Sequence, residues 1–245
     1  MDSSICFSGC GWAFIYYLGI AKYLQQNFYL DNTTFLGVSG GCFPSIFLAI
    51  NYDIEKLFNL IKPIALFCNS GYFNTSIYSN KFLLEISHIL PDNVCNILKN
   101  KIKLSVTRLP WFNNILIDDF DDKNELLDAV ICSCYSPIFF PNRFAKYRGN
   151  YYLDGMLSND NPIIDENTIL ISAFFNKDII LKKSYMSSFY YPGNYSDIQN
   201  MFEQGYTDAF NNAELFIKKN LKIKNLDNEK FFNNVIKTDI DNELE

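Results

Sequence analysis

The chain has 245 residues, 49% of them hydrophobic and 17% aromatic, with a formal net charge of −6 and a pI near 4.9. That length suits one α/β domain or two small ones, with an ample core either way, and the acidic balance argues against a nucleic-acid binder, which needs clustered Lys and Arg. It equally disfavours docking on an anionic membrane by charge alone, so any membrane contact has to run through apolar surface. Seven cysteines, Cys6, Cys10, Cys42, Cys68, Cys95, Cys132 and Cys134, form no C-x-x-C pair. With His88 as the only histidine, the expectation is reduced thiols in a cytosol-like compartment, with no metal and no other cofactor.

Ser4–Ser8 reads as a short buried strand, Ser8–Gly11 as a glycine loop, and Trp12–Gln26 as a helix with Lys22 and Gln25 on its polar side. The uncharged run Ile5–Ala21 is interrupted by Gly9, Cys10 and Gly11, and no basic residue precedes it, so it predicts neither a signal peptide nor a membrane span. Asn32–Val38 is a second strand, and the apolar run Ile46–Ile50 belongs to the helix after it. Pro44 there would remove one backbone bond or delay the helix start. Tyr52–Phe67 has helical spacing that Pro63 should kink or split; Lys81–Ile89 and Pro91–Leu98 follow as helices. Ile102–Thr107 and Asn114–Phe120 read as strands, Lys123–Cys134 as a helix, and Asn150–Leu153 as a short strand. Thr168–Ala173 has the uncharged, apolar character of a parallel strand, and Ser196–Asn220 reads as one long final helix. The expected organisation is one domain over 1–220 with a mostly parallel sheet, and a charged, loosely attached tail over 221–245.

The chemistry concentrates at Gly37-Val38-Ser39-Gly40-Gly41, a G-x-S-x-G between a strand and a helix. In that setting the pentapeptide is a nucleophile elbow, which throws the serine hydroxyl out of a strained turn and has no room for a Cβ on either side. A serine needs a base. His88 lies in an amphipathic helix with no histidine downstream of it, so a Ser-His-Asp triad is not expected. A carboxylate acting directly is the remaining solution, and Asp154, ahead of Gly155 at the end of a strand, stands where ligands gather on a parallel sheet. Burial would have to raise its basicity. Gly9, Cys10 and Gly11 can offer consecutive backbone N–H groups to a developing oxyanion; Phe14 stands where the dinucleotide fingerprint requires glycine. Asp118, Asp119, Asp121 and Asp122 read as a solvated helix start rather than a calcium loop. Phe139-Phe140-Pro141 and Phe189–Pro192 are aromatic loops for which packing on the domain is favoured over insertion at a lipid interface.

Ser8-Gly9-Cys10-Gly11-Trp12, the Ser39 elbow and Asp154-Gly155, in that order, resemble the patatin-like phospholipase family, and within it the animal adipose triglyceride lipase and adiponutrin-like subgroup. Ser133–Pro137, Tyr152–Pro162 (YLDGMLSNDNP) and Glu203–Ala209 (EQGYTDA) add to the resemblance, which spans roughly residues 5–220. It implies a three-layer α/β/α fold and a serine esterase with a Ser-Asp dyad: Ser39 as nucleophile, Asp154 as base, and the Gly9–Gly11 amides as oxyanion hole. Substrates would be acyl esters of glycerolipids met at a membrane or lipid surface, without a metal, in the cytoplasm or peripherally at membranes, with a protein co-activator left open. The activity implied is that of a phospholipase A or general acyl hydrolase; the alternatives are a triacylglycerol lipase or transacylase, and a lipid-binding regulatory protein that has lost turnover. Phe14, Met156 and Pro44 depart from the family pattern around the site, and Ala13 stands where the broader family has Arg or Lys.

Overall fold

The computed structural model describes residues 3–69, 72–136, 145–174, 178–180 and 187–224. In chain order its strands are β1 (Ser3–Phe7), β2 (Phe28–Tyr29), β3 (Thr33–Val38), β4 (Ile102–Arg108), β5 (Asn113–Ile117), β6 (Lys146–Tyr147), β7 (Asn150–Asp154), β8 (Thr168–Ser172), β9 (Ile179–Ile180) and β10 (Lys222–Ile223). The helices are α1 (Phe14–Asn27), α2 (Cys42–Ala49), α3 (Ile54–Cys68), α4 (Tyr72–Ile89), α5 (Val94–Leu98), α6 (Lys123–Ser133), α7 (Tyr195–Asn211) and α8 (Ala213–Lys218). The main sheet runs β6-β7-β4-β3-β1-β8-β9, with β5 added to β4. Its centre, β4-β3-β1-β8-β9, is parallel, as the apolar runs lacking a solvent face predict. Alternation divides the core: Ile5, Phe7, Phe35, Ile169 and Ile171 join the large helical cluster, while Cys6, Leu36 and Val38 form a smaller one with Leu116, Met156 and Leu170.

Two helices are brought close by missing side chains. A Cβ at Gly19 of α1 would collide with the Phe202 carbonyl of α7, and one at Gly205 of α7 with the Tyr16 carbonyl of α1. Phe58 of α3 stacks on Phe202 at 4.0 Å, and Tyr16 Oη donates to Asp208 Oδ2 at 2.8 Å.

Several boundaries differ from expectation for local reasons. Residues Ser39–Gly41 form a 3₁₀ turn, so α2 starts at Cys42 and Pro44 falls in its first turn, where an N–H has no helical partner to lose. Pro63 does not split α3, which runs from the Asp53 cap to Cys68 and buries Ile61, Ile64 and Ala65 around the proline. Burial over several turns outweighs one absent bond. The expected final helix is broken at Asn212 into α7 and α8, and Asn220, at φ 69°, terminates the second. Lys222 and Ile223, placed by sequence in a loose tail, pair antiparallel with Tyr29 and Phe28. Residues 225–245 of that tail, Pro137, and Phe139-Phe140-Pro141 lie outside the described residues. Asp122 caps α6, Asp118 pairs with Lys103 at 2.6 Å, and Asp119 and Asp121 pair with Arg148. None of the seven cysteines is in a disulfide. Among the described residues, no helix is long and apolar enough to cross a membrane.

Candidate active site

The site arises from two strands that meet end to end along one edge of β4. Val38, the last residue of β3, pairs with Ser105, and Asp154, the last residue of β7, pairs with the next residue, Val106. The opposite edge of β4 is taken by β5, with Ser105 against Leu116 and Val106 against Ile115. Sequence placed Asp154 at the carboxyl end of a strand running with β3; β7 instead runs antiparallel to β4, so the two strand ends approach from opposite directions. The next residue of one chain segment is then forced against the last of the other. Ser39 Oγ donates to Asp154 Oδ2 at 2.6 Å, with each residue only 7% exposed.

The elbow is strained and tightly packed. Ser39 has φ 52°, a left-handed conformation rare outside glycine. A Cβ at Gly37 would lie 2.7 Å from the Cys42 Cα, and one at Gly41 would overlap the Phe7 carbonyl of β1. Three backbone and side-chain links then fix the turn. The Ser39 amide donates to Ser133 Oγ at 3.0 Å, Ser133 Oγ donates to the Ser105 carbonyl at 2.7 Å, and Cys42 Sγ donates to Ser133 Oγ at 3.2 Å. Ser133 of α6 thus ties the Ser39 turn to β4. Ser133 is not legible as part of the site from sequence, because nothing local points a helical serine at an elbow 94 residues away.

Asp154 is held just as closely. Its Oδ1 accepts from the Met156 amide at 3.0 Å in the Gly155–Leu157 turn, and its carbonyl accepts from Thr107 Oγ1 at 2.7 Å. A Cβ at Gly155 would overlap the Ser105 carbonyl. Burial raises the Asp154 carboxyl from the usual carboxylate range to about 7; the hydrogen bonds from Ser39 and Met156 pull it down, and the charge of Asp160 pushes it up. Desolvation outweighs the hydrogen bonds.

The glycine loop lies against the elbow. A Cβ at Gly40 would come within 2.5 Å of the Gly11 carbonyl and 3.0 Å of Cys10 Sγ. Gly11–Ala13 is a 3₁₀ turn with Cys10 at its cap, so the Cys10 and Gly11 amides open a turn and have no partner within it. The Gly9 amide has a different partner: it donates to Asp160 Oδ1 at 2.7 Å, while Ser8 Oγ donates to Asn161 Oδ1 at 2.8 Å. Met156 lies beside Gly9, and Phe14 points into the core against Trp12, Phe43 and Phe82 rather than into the loop. Burial, then Asp160, keeps the Cys10 thiol well above its ordinary pKa; a hydrogen bond with Cys42, then burial, does so for Cys134. Neither is a thiolate nucleophile. His88 is exposed in the last turn of α4. Phe189 packs on Phe174 at 5.7 Å, and its carbonyl fills the space that a Cβ on Gly11 would need.

A mostly parallel α/β sheet thus carries a buried serine–carboxylate pair at a strand–turn–helix elbow, beside a second turn whose amides open it. The patatin-like phospholipase family model matches residues 5–165, and the chain belongs to that family. Among its relatives, mouse 1-acylglycerol-3-phosphate O-acyltransferase Pnpla3 is 28% identical over 84% of this chain and 58% of the relative. Its human counterpart is 30% identical over 76% of this chain and 40% of the relative. Human patatin-like phospholipase domain-containing protein 2 is 27% identical over 70% of this chain and 36% of the relative. The matched regions thus span about half the length of these relatives or less. The solved structure of VipD from Legionella pneumophila superposes with a TM-score of 0.55 at 15% identity, over 86% of this chain and 66% of VipD, a likeness of fold.

Proposed function

We propose that this chain is a lipid acyl hydrolase that cleaves carboxylic esters of glycerolipids through an acyl-Ser39 intermediate, with Asp154 as the base. The observation that carries this reading is the 2.6 Å hydrogen bond from Ser39 Oγ to a buried carboxylate raised to about 7. Asp154 Oδ2 takes the hydroxyl proton as Oγ attacks the ester carbonyl carbon. The negative charge that forms on the carbonyl oxygen is held by the amides of the Gly9–Gly11 loop, with those of Cys10 and Gly11 free of a partner in their turn and Gly9's already bound to Asp160. Collapse breaks the carbon–oxygen bond to the leaving alcohol, which takes the proton from Asp154. Water then attacks the acyl-serine, gives its proton to Asp154, and releases the fatty acid and the free Ser39 hydroxyl.

Family membership and the relatives' names supply the lipid class. A second reading follows from one of those names: an acceptor hydroxyl replaces water in the second half-reaction, and the chain acts as a transacylase. A phospholipid is the preferred donor and a triacylglycerol the alternative; action at the cytoplasmic surface of a membrane suits either. A regulatory lipid binder without turnover is the competing class. Fatty-acid release from phosphatidylcholine and from triacylglycerol, with and without a lysophospholipid acceptor, separates these. Release from phospholipid by wild type and none by Ser39→Ala is expected; wild type no faster than Ser39→Ala on every ester would overturn the enzymatic reading.

A further inference from the structure

The sheet continues past the dyad. Beyond Ser105, β4 runs three more residues, about 10 Å at strand spacing, to Arg108, and the turn Leu109-Pro110-Trp111-Phe112 then leads into β5. Every side chain of that turn is apolar. Trp111 is 70% exposed and Phe112 55%, and Phe112 holds φ 57°. Beside them the Leu109 amide donates to the carbonyl of Tyr151, whose ring is 51% exposed. Leu109, Pro110, Tyr135, Ala145, Tyr152 and Leu153 line an open groove of about 570 Å³ next to Tyr151. Leu153, which lines the groove, directly precedes Asp154, and the Tyr135 carbonyl accepts the Asp154 amide at 3.1 Å.

Two cations flank these aromatics. The Arg108 guanidinium lies 5.5 Å from the Trp111 ring and Lys146 Nζ 5.8 Å from the Tyr151 ring. Arg108 donates through one nitrogen to Asn150 Oδ1 at 2.8 Å, but its buried Nε has no hydrogen-bond partner. Neither cation makes an ion pair among the described residues, whereas nearby Arg148 is neutralised by Asp119, Asp121 and Glu125. In a chain of net charge −6, the lip joins exposed aromatic rings to two cations that carry no carboxylate partner among the described residues.

We propose that this lip is the surface that docks on a phospholipid bilayer. Trp111, Phe112 and Tyr151 enter the interfacial zone, where amphipathic rings partition well, and Arg108 and Lys146 meet lipid phosphates. The proposal rests on the lipid-hydrolase reading for its purpose, and it can fail independently of it. Phosphate complementarity is what favours a bilayer over a second copy of this acidic chain or another protein.

The chain carries its own reporter, because its two tryptophans are the buried Trp12 and the exposed Trp111. On adding vesicles of phosphatidylcholine mixed with phosphatidylserine, wild-type tryptophan emission shifts to the blue and is quenched by lipids brominated on their acyl chains. Trp111→Phe loses that quenching, and Arg108→Gln and Lys146→Gln each weaken binding to the mixed vesicles about five-fold. Phe112→Ser weakens binding to the mixed vesicles and to pure phosphatidylcholine alike. Wild-type emission that neither shifts nor quenches at lipid concentrations that saturate binding overturns the proposal, with no variant needed. Phe112→Ser that abolishes a dimer but leaves vesicle binding intact overturns it in favour of a second copy. Hydrolysis of a short-chain water-soluble ester, followed in parallel, keeps the two readings apart: turnover with a silent Trp111 sinks only the docking face, and a responsive Trp111 without turnover sinks only the hydrolase.

Discussion

Two turns of this molecule are built almost alike and are put to opposite uses. After β1 the chain makes a 3₁₀ turn at Gly11–Ala13 and enters α1; after the neighbouring parallel strand β3 it makes a 3₁₀ turn at Ser39–Gly41 and enters α2. The first residue of each turn is left-handed, Gly11 at φ 54° and Ser39 at φ 52°. At Gly11 a side chain is impossible, because the Phe189 carbonyl occupies its place, and only amides are presented. At Ser39 the same backbone carries a hydroxyl held by Asp154, and the strain is tolerated because Ser133 and the glycines around it fix the turn. One scaffold thus supplies an electron-poor turn and, packed against it, an electron-rich one. What separates them is whether a neighbour fills the space beyond Cα.

The largest effect should come from removing the side chain that distinguishes the turns. Ser39→Ala should lower turnover by at least ~10³-fold, since the remaining amides cannot form an acyl-enzyme; single-turnover acyl release checks it. Asp154→Asn should cost as much and should also remove a stability trend. The folded carboxyl sits near 7, above the ~3.9 of an unfolded aspartate, so its contribution to stability is full below pH 4 and is lost as pH rises towards 7. Relative to wild type, the Asn variant should therefore gain on the order of a few kcal/mol between those limits; denaturant melts at pH 5 and pH 8 read the slope. Wild-type activity runs the other way, rising with pH to a plateau above about 7 as Asp154 ionises.

Gly11→Ala removes the likeness from the other side. It must move the Phe189 carbonyl or the loop, and displacing oxyanion donors costs about 10²- to 10³-fold in kcat, with Ser39 still open to a small phosphonate. The smallest effect belongs to Asp160→Asn. It keeps an acceptor for the Gly9 amide but removes the charge that raises Asp154, so the acid limb of the pH–rate profile should move down by less than about one unit.

Much of this was legible in the chain. The G-x-S-x-G between strand and helix locates Ser39 because the local geometry demands glycine at flanking positions, and Asp154-Gly155 stands out because little else near neutral pH can serve a serine without histidine. The direction of β7 was not legible: Asn150–Asp154 reads the same whether it pairs parallel or antiparallel, and the partner of Asp154 on β4, Val106, is distant in the chain. The engagement of Gly9 by Asp160 and of Ser39 by Ser133 likewise depends on long-range register. The break at Asn212 and the continuity of α3 through Pro63 turned on burial that a periodicity does not weigh. The exposure of Trp111 and Phe112 was not legible either, because four apolar residues in a turn look like core in sequence.

The most direct test of the paired turns is covalent labelling by a small fluorophosphonate, followed across pH and mapped by peptide mass. The account predicts a single adduct on Ser39, formed at a rate that rises to a plateau above about pH 7 and is abolished in Asp154→Asn with the fold intact. An adduct on another residue, or labelling of Asp154→Asn at the wild-type rate, would contradict it.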